Sequence, residues 1–347
     1  MRRSGRGEPG GACITRRLVA VLPFLAILAT GGVARGVEIH PFYAGHFSPL
    51  VQTFGIPPVE DGEIAARGTV LARLVLDVAN SFQGGAGPRQ SAGMDGETLR
   101  TTLALRYGFT PRFEGGVDIP LVHHSGGFLD GFIESFHRWI GKPKNDGAGD
   151  PRNRLIYNYR RDGVTTVDLR SDTTAFGDMA ISAAWRLSSP KDAGRSVALR
   201  AMLKIPTGKE SALAGSGGTE GSLQLALRDP KTFASRNVTL FGAAGALYIG
   251  NDTFLGELRQ PLVGFGTVGA GWAPASWVAI KFQAGGHTAL SREREFKPLS
   301  WTINVMGGFT FALPGGVDMD LGIFETVLNE TAPDVGFQLG FRKRFGG

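Results

Sequence analysis

Apolar and polar residues alternate with a period of two along most of the chain. In SVALRAMLKIP (196–206), Val197, Leu199, Ala201, Leu203 and Ile205 are apolar, and Arg200 and Lys204 fall between them. FGDMAISAAWRL (176–187) sets Met179, Ile181, Ala183, Trp185 and Leu187 against Asp178, Ser182 and Arg186. TLRTTLALRYG (98–108) sets Leu99, Leu103, Leu105 and Tyr107 against Arg100, Thr102 and Arg106, and FEGGVDIPLV (113–122) sets Phe113, Val117, Ile119 and Leu121 against Glu114 and Asp118. This period predicts β-strands with two unlike faces. The runs are about ten to thirteen residues long, the length needed to cross a bilayer at a tilt and about twice that of an ordinary strand. One face repeatedly carries full charges, which suits a wet lumen better than a dry core. Tyr107, Phe113, Trp185, Tyr248, Trp272, Trp277 and Trp301 sit towards strand ends, as an interfacial girdle would.

Candidate strands fall at 68–82, 96–108, 112–122, 153–161, 163–170, 176–188, 196–206, 220–229, 236–249, 256–272, 277–288, 300–312, 316–325 and 334–345. Alternate connections are short (109–111, 162, 189–195, 230–235, 273–276, 313–315) and long (83–95, 123–152, 207–219, 289–299). Short periplasmic turns and long outer loops are the asymmetry of an outer-membrane barrel. The expected fold is therefore all-β: a transmembrane antiparallel up-and-down barrel of about fourteen strands, with twelve as second choice. A secreted β-sandwich is the alternative, but its strands would be shorter and its apolar faces would meet each other.

The N-terminus departs from this pattern. Several arginines precede LVAVLPFLAILAT (18–30), followed by the small residues of GGVARG (31–36). That order reads as a cleaved signal peptide over 1–36, and export with a barrel implies the outer membrane of a Gram-negative-type bacterium. Of 37 basic and 31 acidic residues, six arginines and one glutamate lie in 1–36, which leaves 31 and 30. The basic excess belongs to the leader, so nothing in the charge calls for a nucleic-acid partner. Cys13, the single cysteine, also lies there, so the exported chain has no disulfide. Residues 37–67 are rich in proline and have no clean period; they are expected to be a periplasmic extension or a plug, ahead of the barrel at 68–347.

Chemistry concentrates in HHSGGFLDGFIESFHRWIG (123–141). Phe128, Leu129, Phe132, Ile133, Phe136, Trp139 and Ile140 share one side at helical spacing, and Asp130, Glu134 and His137 share the other. One amphipathic helix in the longest outer loop is expected. It is either packed on the barrel mouth or a constriction at which Asp130 and Glu134 bias ion passage. His124 and Ser125 are adjacent in the chain, which by itself does not build a nucleophile with an oriented base. The spacing of His123, His124, Asp130 and His137 matches no recognised metal set, and no cofactor motif is present. The remaining candidate pore residues are Arg100, Arg106, Asp118, Arg186, Arg200 and Lys204 on the inferred lumen face, where both signs nearly balance.

Several stretches, SPLVQTFGIPP (48–58), MDGETLRTTLALRYG (94–108), IPLVHHSGGFLDGFIESFHRWIG (119–141), LKIPTG (203–208) with AGSGGTE (214–220), and APDVGFQLGFRKRF (332–345), resemble the bacterial domain-of-unknown-function family 3187. The resemblance runs across nearly the whole exported chain. KPKNDGAGDPRN (142–153) departs from it and looks like a variable loop tip. It implies an exported outer-membrane barrel and implies no catalytic residue. The partners expected are outer-membrane lipid and, through the aromatic C-terminal strand ending at Phe345, the barrel-assembly machinery. The expected function is passive passage of a small polar or amphiphilic solute. The alternatives are a non-conducting envelope-integrity barrel and, third, a lipid-modifying enzyme.

Overall fold

The computed structural model describes residues 36–129, 131, 153–189, 194–328 and 335–346. The leader expected over 1–36 lies outside them except for Gly36. Fifteen strands form one sheet. They are β1 (Val70–Ala86), β2 (Gln90–Gly108), β3 (Phe113–Ser125), β4 (Ile156–Arg161), β5 (Val164–Leu169), β6 (Thr173–Phe176), β7 (Met179–Arg186), β8 (Ser196–Ile205), β9 (Glu220–Phe233), β10 (Val238–Ile249), β11 (Leu262–Ala275), β12 (Val278–His287), β13 (Thr302–Leu313), β14 (Val317–Leu328) and β15 (Val335–Phe345).

Twelve of the fifteen close a ring: β1, β2, β3, and β7 to β15 in sequence order, each antiparallel to its neighbours. β1 and β15 seal it, from Val70 opposite Phe345 to Asn80 opposite Val335. Closure leaves no unpaired edge, which lipid requires. The expected count of fourteen is therefore corrected to twelve. The two surplus segments, β4 and β5, form a hairpin that pairs with the outer end of β2, Gln90–Asp95, above the level where β3 joins β2. They are six residues each, too short to cross the hydrocarbon, and they bury Tyr157, Tyr159 and Val167 in a core outside the ring. β6 continues the pairing of β7 along β3, interrupted at Gly177, whose N–H donates to the Pro120 carbonyl at 2.8 Å.

The apolar faces point outward. Leu199, Leu203, Leu223, Leu225, Leu227, Ile280, Phe282, Leu321 and Ile323 are exposed, and Val268 reaches 69%. Water would not tolerate an apolar belt of this extent around a monomer; a bilayer supplies its partner. Tyr107, Phe109, Phe113, Trp185, Trp272 and Trp277 gather at the short-turn end, with the Tyr107 and Phe109 rings 4.9 Å apart; Phe176, Tyr248 and Trp301 lie towards the other end. The expected helix over 128–140 is not supported: apart from Phe128, Leu129 and Gly131 it lies outside the described residues, and the helical elements delimited elsewhere are single 3-10 turns such as Val51–Thr53.

Residues 37–66 run inside the ring. The N–H of Val37 donates to the Ser276 carbonyl at the short-turn end (2.6 Å), Phe42 N–H to Gln283 Oε1 at mid-height (2.9 Å), and Gln83 Nε2 to Ser48 Oγ near the long-loop end (3.2 Å). Leu50, Val51 and Phe54 then enter a core under the outer loops, built with Tyr157, Tyr159, Phe254 and Phe296. Tyr159 stacks on Phe254 at 4.5 Å, and its hydroxyl donates to Gln90 Oε1 at 2.9 Å. The chain returns past Gly55, whose N–H meets Glu220 Oε2 (2.5 Å), to Gly68, whose N–H donates to the Gly108 carbonyl (2.8 Å) beside the start of β1.

Candidate functional site

Period-two alternation places the charged residues of the wall on the inner face, and the returning limb of the inserted segment, VEDGE (59–63), supplies acids to meet them. Glu60 accepts from Arg106 Nη2 (2.9 Å) and Arg73 Nη1 (3.0 Å), with Arg200 Nη1 at 3.5 Å. Arg106 also reaches Asp118 Oδ1 (2.6 Å), whose other oxygen accepts from Tyr43 (2.5 Å). Arg200 bonds Glu114 (3.0 Å) and the Asp61 and Glu63 carbonyls. These bonds join β1, β2, β3 and β8 to the segment through groups that are almost fully buried. Buried charges are tolerated only when paired in this way.

A second cluster lies below it. His40 Nδ1 meets Asp61 Oδ2 (2.7 Å) and Nε2 meets Glu38 Oε2 (3.1 Å). Arg344 bonds both Glu38 and Glu63, and Arg228 reaches Glu63 at 3.3 Å. Glu38, His40 and Glu63 present ligand atoms within 4.8 Å of one another. Arginines already neutralise these carboxylates, so the set reads as an ion-pair network rather than a metal centre.

The third cluster fastens the 206–219 loop. Lys204 Nζ donates to Asp178 (2.6 Å), Ser216 Oγ (2.6 Å) and the Thr53 carbonyl (3.2 Å) and forms an ion pair with Glu220 (2.7 Å), which ties β8, β9, that loop and the inserted segment at one point.

The structure thus brings Arg106, Asp118 and Arg200 into one network and Lys204 into another. Arg100 faces the lumen apart from them and donates to the Gln52 carbonyl (3.1 Å). Arg186 ends β7 on the inner parity, and its buried Nε has no partner among the described residues. Asp130, Glu134 and His137 lie outside the described residues. His123 and His124 are successive strand residues and point to opposite faces: His123 Nδ1 pairs with Thr174 and His124 Nδ1 with Thr98, each at 2.8 Å. They cannot share one metal, and the same alternation separates His124 from Ser125.

Sequence reasoning missed Glu38, His40, Tyr43, Glu60, Asp61 and Glu63. The available signal was the acid run in 59–63 beside an inner face rich in arginine.

Two of the cavities among the described residues flank the inserted segment on opposite sides. The larger, about 880 Å³ with its mouths, lies between the inserted segment and β1, β2, β3, β7 and β8. The second, about 600 Å³, lies on the opposite side against β10 to β14, and both are bordered by His46.

A closed ring of twelve strands, apolar outside and charged inside, is the fold of an outer-membrane β-barrel. The chain belongs to the DUF3187 family of proteins of unknown function. The family model matches residues 18–345. Among solved structures, this DUF3187 chain is similar to the COG4313 outer membrane channel of Pseudomonas putida F1, with a TM-score of 0.56 and 12% identity over 82% of this chain and 98% of that one. Weaker likenesses are to the NanC porin (TM-score 0.41, 7% identity, 78% and 98% covered) and to the Pseudomonas putida toluene transporter TodX (TM-score 0.38, 10% identity, 80% and 90% covered). No curated protein matches the DUF3187 chain.

Proposed function

We propose that this DUF3187 protein is an outer-membrane channel that passes small polar or amphiphilic solutes, and that residues 37–66 control the passage. The observation that carries this reading is how the segment is held. Phe42, Phe47, Leu50 and Phe54 pack into apolar clusters, whereas the returning limb is held to the wall by ion pairs of Glu60, Asp61 and Glu63, joined by Glu38, and cavities lie on two sides. An ionic grip on a short segment can be exchanged for water and for solute. The C-terminal strand β15, with Phe337, Phe341 and Phe345, is the expected handle for the barrel-assembly machinery. Electrical recording of the refolded protein in a planar bilayer tests the proposal: discrete conductance steps support it, and silence from a demonstrably folded barrel contradicts it.

A second reading has its own observation. The outer mouth is covered by a buried aromatic core in which Tyr159, Phe254 and Phe296 pack over Leu50, Val51 and Phe54. A barrel capped and filled in this way suits a non-conducting envelope role. The same recording separates the two readings.

A further inference from the structure

We propose that the larger cavity is a binding site for a small monoanion with an apolar body, such as an aromatic or short-chain carboxylate, and that Arg100 receives the carboxylate. The inference rests on the channel reading only in taking the cavity to be open to solutes.

The polar groups that border the chamber without a partner are donors. Arg100 makes one hydrogen bond, to the Gln52 carbonyl (3.1 Å), and no carboxylate of the described residues comes within ion-pair distance. His46 Nδ1 accepts the N–H of Ser48 (3.1 Å), which places the ring proton on Nε2, and that buried Nε2 has no partner. Gln52 Nε2 is likewise buried and unpartnered. His46 and Gln52 are each 8% exposed. Buried donors without a protein acceptor are costly unless water or a ligand meets them, and a carboxylate meets them more strongly than water.

The acids of the same chamber are engaged. Asp118 is held by Arg106 and Tyr43, and Asp178 by Lys204 and the Gly208 and Ser216 N–H groups. Asp77, opposite Arg100 in the β1–β2 register, accepts from Gln338 Nε2 (2.8 Å). It is the one acid placed to compete for Arg100, and a ligand carboxylate has the advantage of reaching the guanidinium with two parallel bonds. The rest of the wall mixes apolar side chains, Phe47, Phe54, Ile56, Pro58, Pro120 and Met202, with Thr53, Thr98 and Thr102. A chamber that sets apolar side chains beside convergent unpartnered donors, with its acids already engaged, offers the two elements that a carboxylate with an apolar body needs.

The test is calorimetric titration of the refolded exported chain in detergent, with benzoate and benzylamine as probes of one size and opposite charge. Benzoate should bind and benzylamine should not. Arg100→Gln should weaken benzoate about tenfold or more, because a charge-assisted pair is lost, and Arg100→Lys should fall between. Arg195→Gln, on an exposed turn, should change nothing. Equal binding of the two probes, or an unchanged benzoate affinity in Arg100→Gln, would overturn the proposal. If Arg100→Gln fails to show the heat-modifiable gel mobility of a folded barrel, the comparison of probes on the unaltered protein decides alone. Benzoate binding by a barrel that never conducts would sink the channel reading and keep the site. Conduction without benzoate preference would do the reverse.

Discussion

Arg106, on the inner face of β2, donates from Nη2 to Oε1 of Glu60 in the inserted segment at 2.9 Å. Arg73 and Arg200 approach the same carboxylate from β1 and β8. One carboxylate therefore bridges three cations of the wall; Arg106 and Arg200 keep Asp118 and Glu114 if it is lost, and Arg73 loses its ion pair. Glu60→Gln is expected to destabilise the barrel by about 3–5 kcal/mol, the usual cost of breaking a buried pair from one side. The measurement is urea unfolding in lipid vesicles. In a bilayer the same variant should spend more time conducting.

Gly62 passes so close to β8 that a Cβ would lie 2.2 Å from the Ser196 carbonyl oxygen. Backbone cannot yield as a flexible side chain does. Gly62→Val is expected to push the returning limb off the wall without touching any charge. Limited proteolysis within 37–66 should become faster while the barrel keeps its folded gel mobility.

Lys204 is the common partner of Asp178, Glu220 and Ser216. Lys204→Met strands two buried carboxylates. The 206–219 loop should lose amide protection against hydrogen exchange, and the barrel strands away from β8 should keep theirs. Lys204→Met together with Glu220→Gln should recover part of the loss.

Leu225 lies midway along β9 on the outer face and is 49% exposed. Leu225→Arg should cost about 2–4 kcal/mol if that face meets hydrocarbon, as cations do near the midplane of a barrel wall. On a surface in water the same change stays within about 0.5 kcal/mol. Unfolding in vesicles measures the difference.

Asp252 lies in the 250–261 outer loop, where burial raises its carboxyl above the ordinary range; the Leu255 N–H bonds one oxygen and the other has no partner. A carboxyl with a raised folded-state pKa favours the folded loop most at low pH, and that contribution is lost as pH rises through the raised value. Hydrogen exchange of the loop should therefore quicken across that window. Asp252→Asn should flatten the dependence; an identical pH profile in the variant would refute the assignment.

The barrel is legible in the sequence because lipid imposes a simple rule. A strand such as β8 must show Leu199 and Leu203 outward and Arg200 and Lys204 inward, and no other environment rewards that alternation over ten residues. The β4–β5 hairpin obeys the same period for another reason: Tyr157 and Tyr159 alternate into the outer core rather than into lipid, so the pattern alone counts the hairpin as wall. The structure cuts the strands read at 153–161 and 163–170 to six residues each, too short for the wall. The inserted segment carries no period because its partners surround it. Phe42 meets Gln283, Phe47 meets Phe324 and Glu60 meets Arg106, contacts set by a tertiary enclosure that no local spacing encodes. Arg100, Arg106, Asp118, Arg200 and Lys204 could be placed on the inner face from parity, but the pairing of Arg106 and Arg200 with Glu60 depends on an acid that the segment brings from 37–66.

The most direct test is single-channel recording of refolded residues 37–347 beside a Glu60→Gln, Asp61→Asn, Glu63→Gln variant, both verified as folded barrels. The account predicts brief or small openings in the unaltered protein and longer, larger ones in the variant, because the ionic grip on the segment has been removed. Silence from both folded proteins would contradict it and leave a filled, capped barrel whose role is structural.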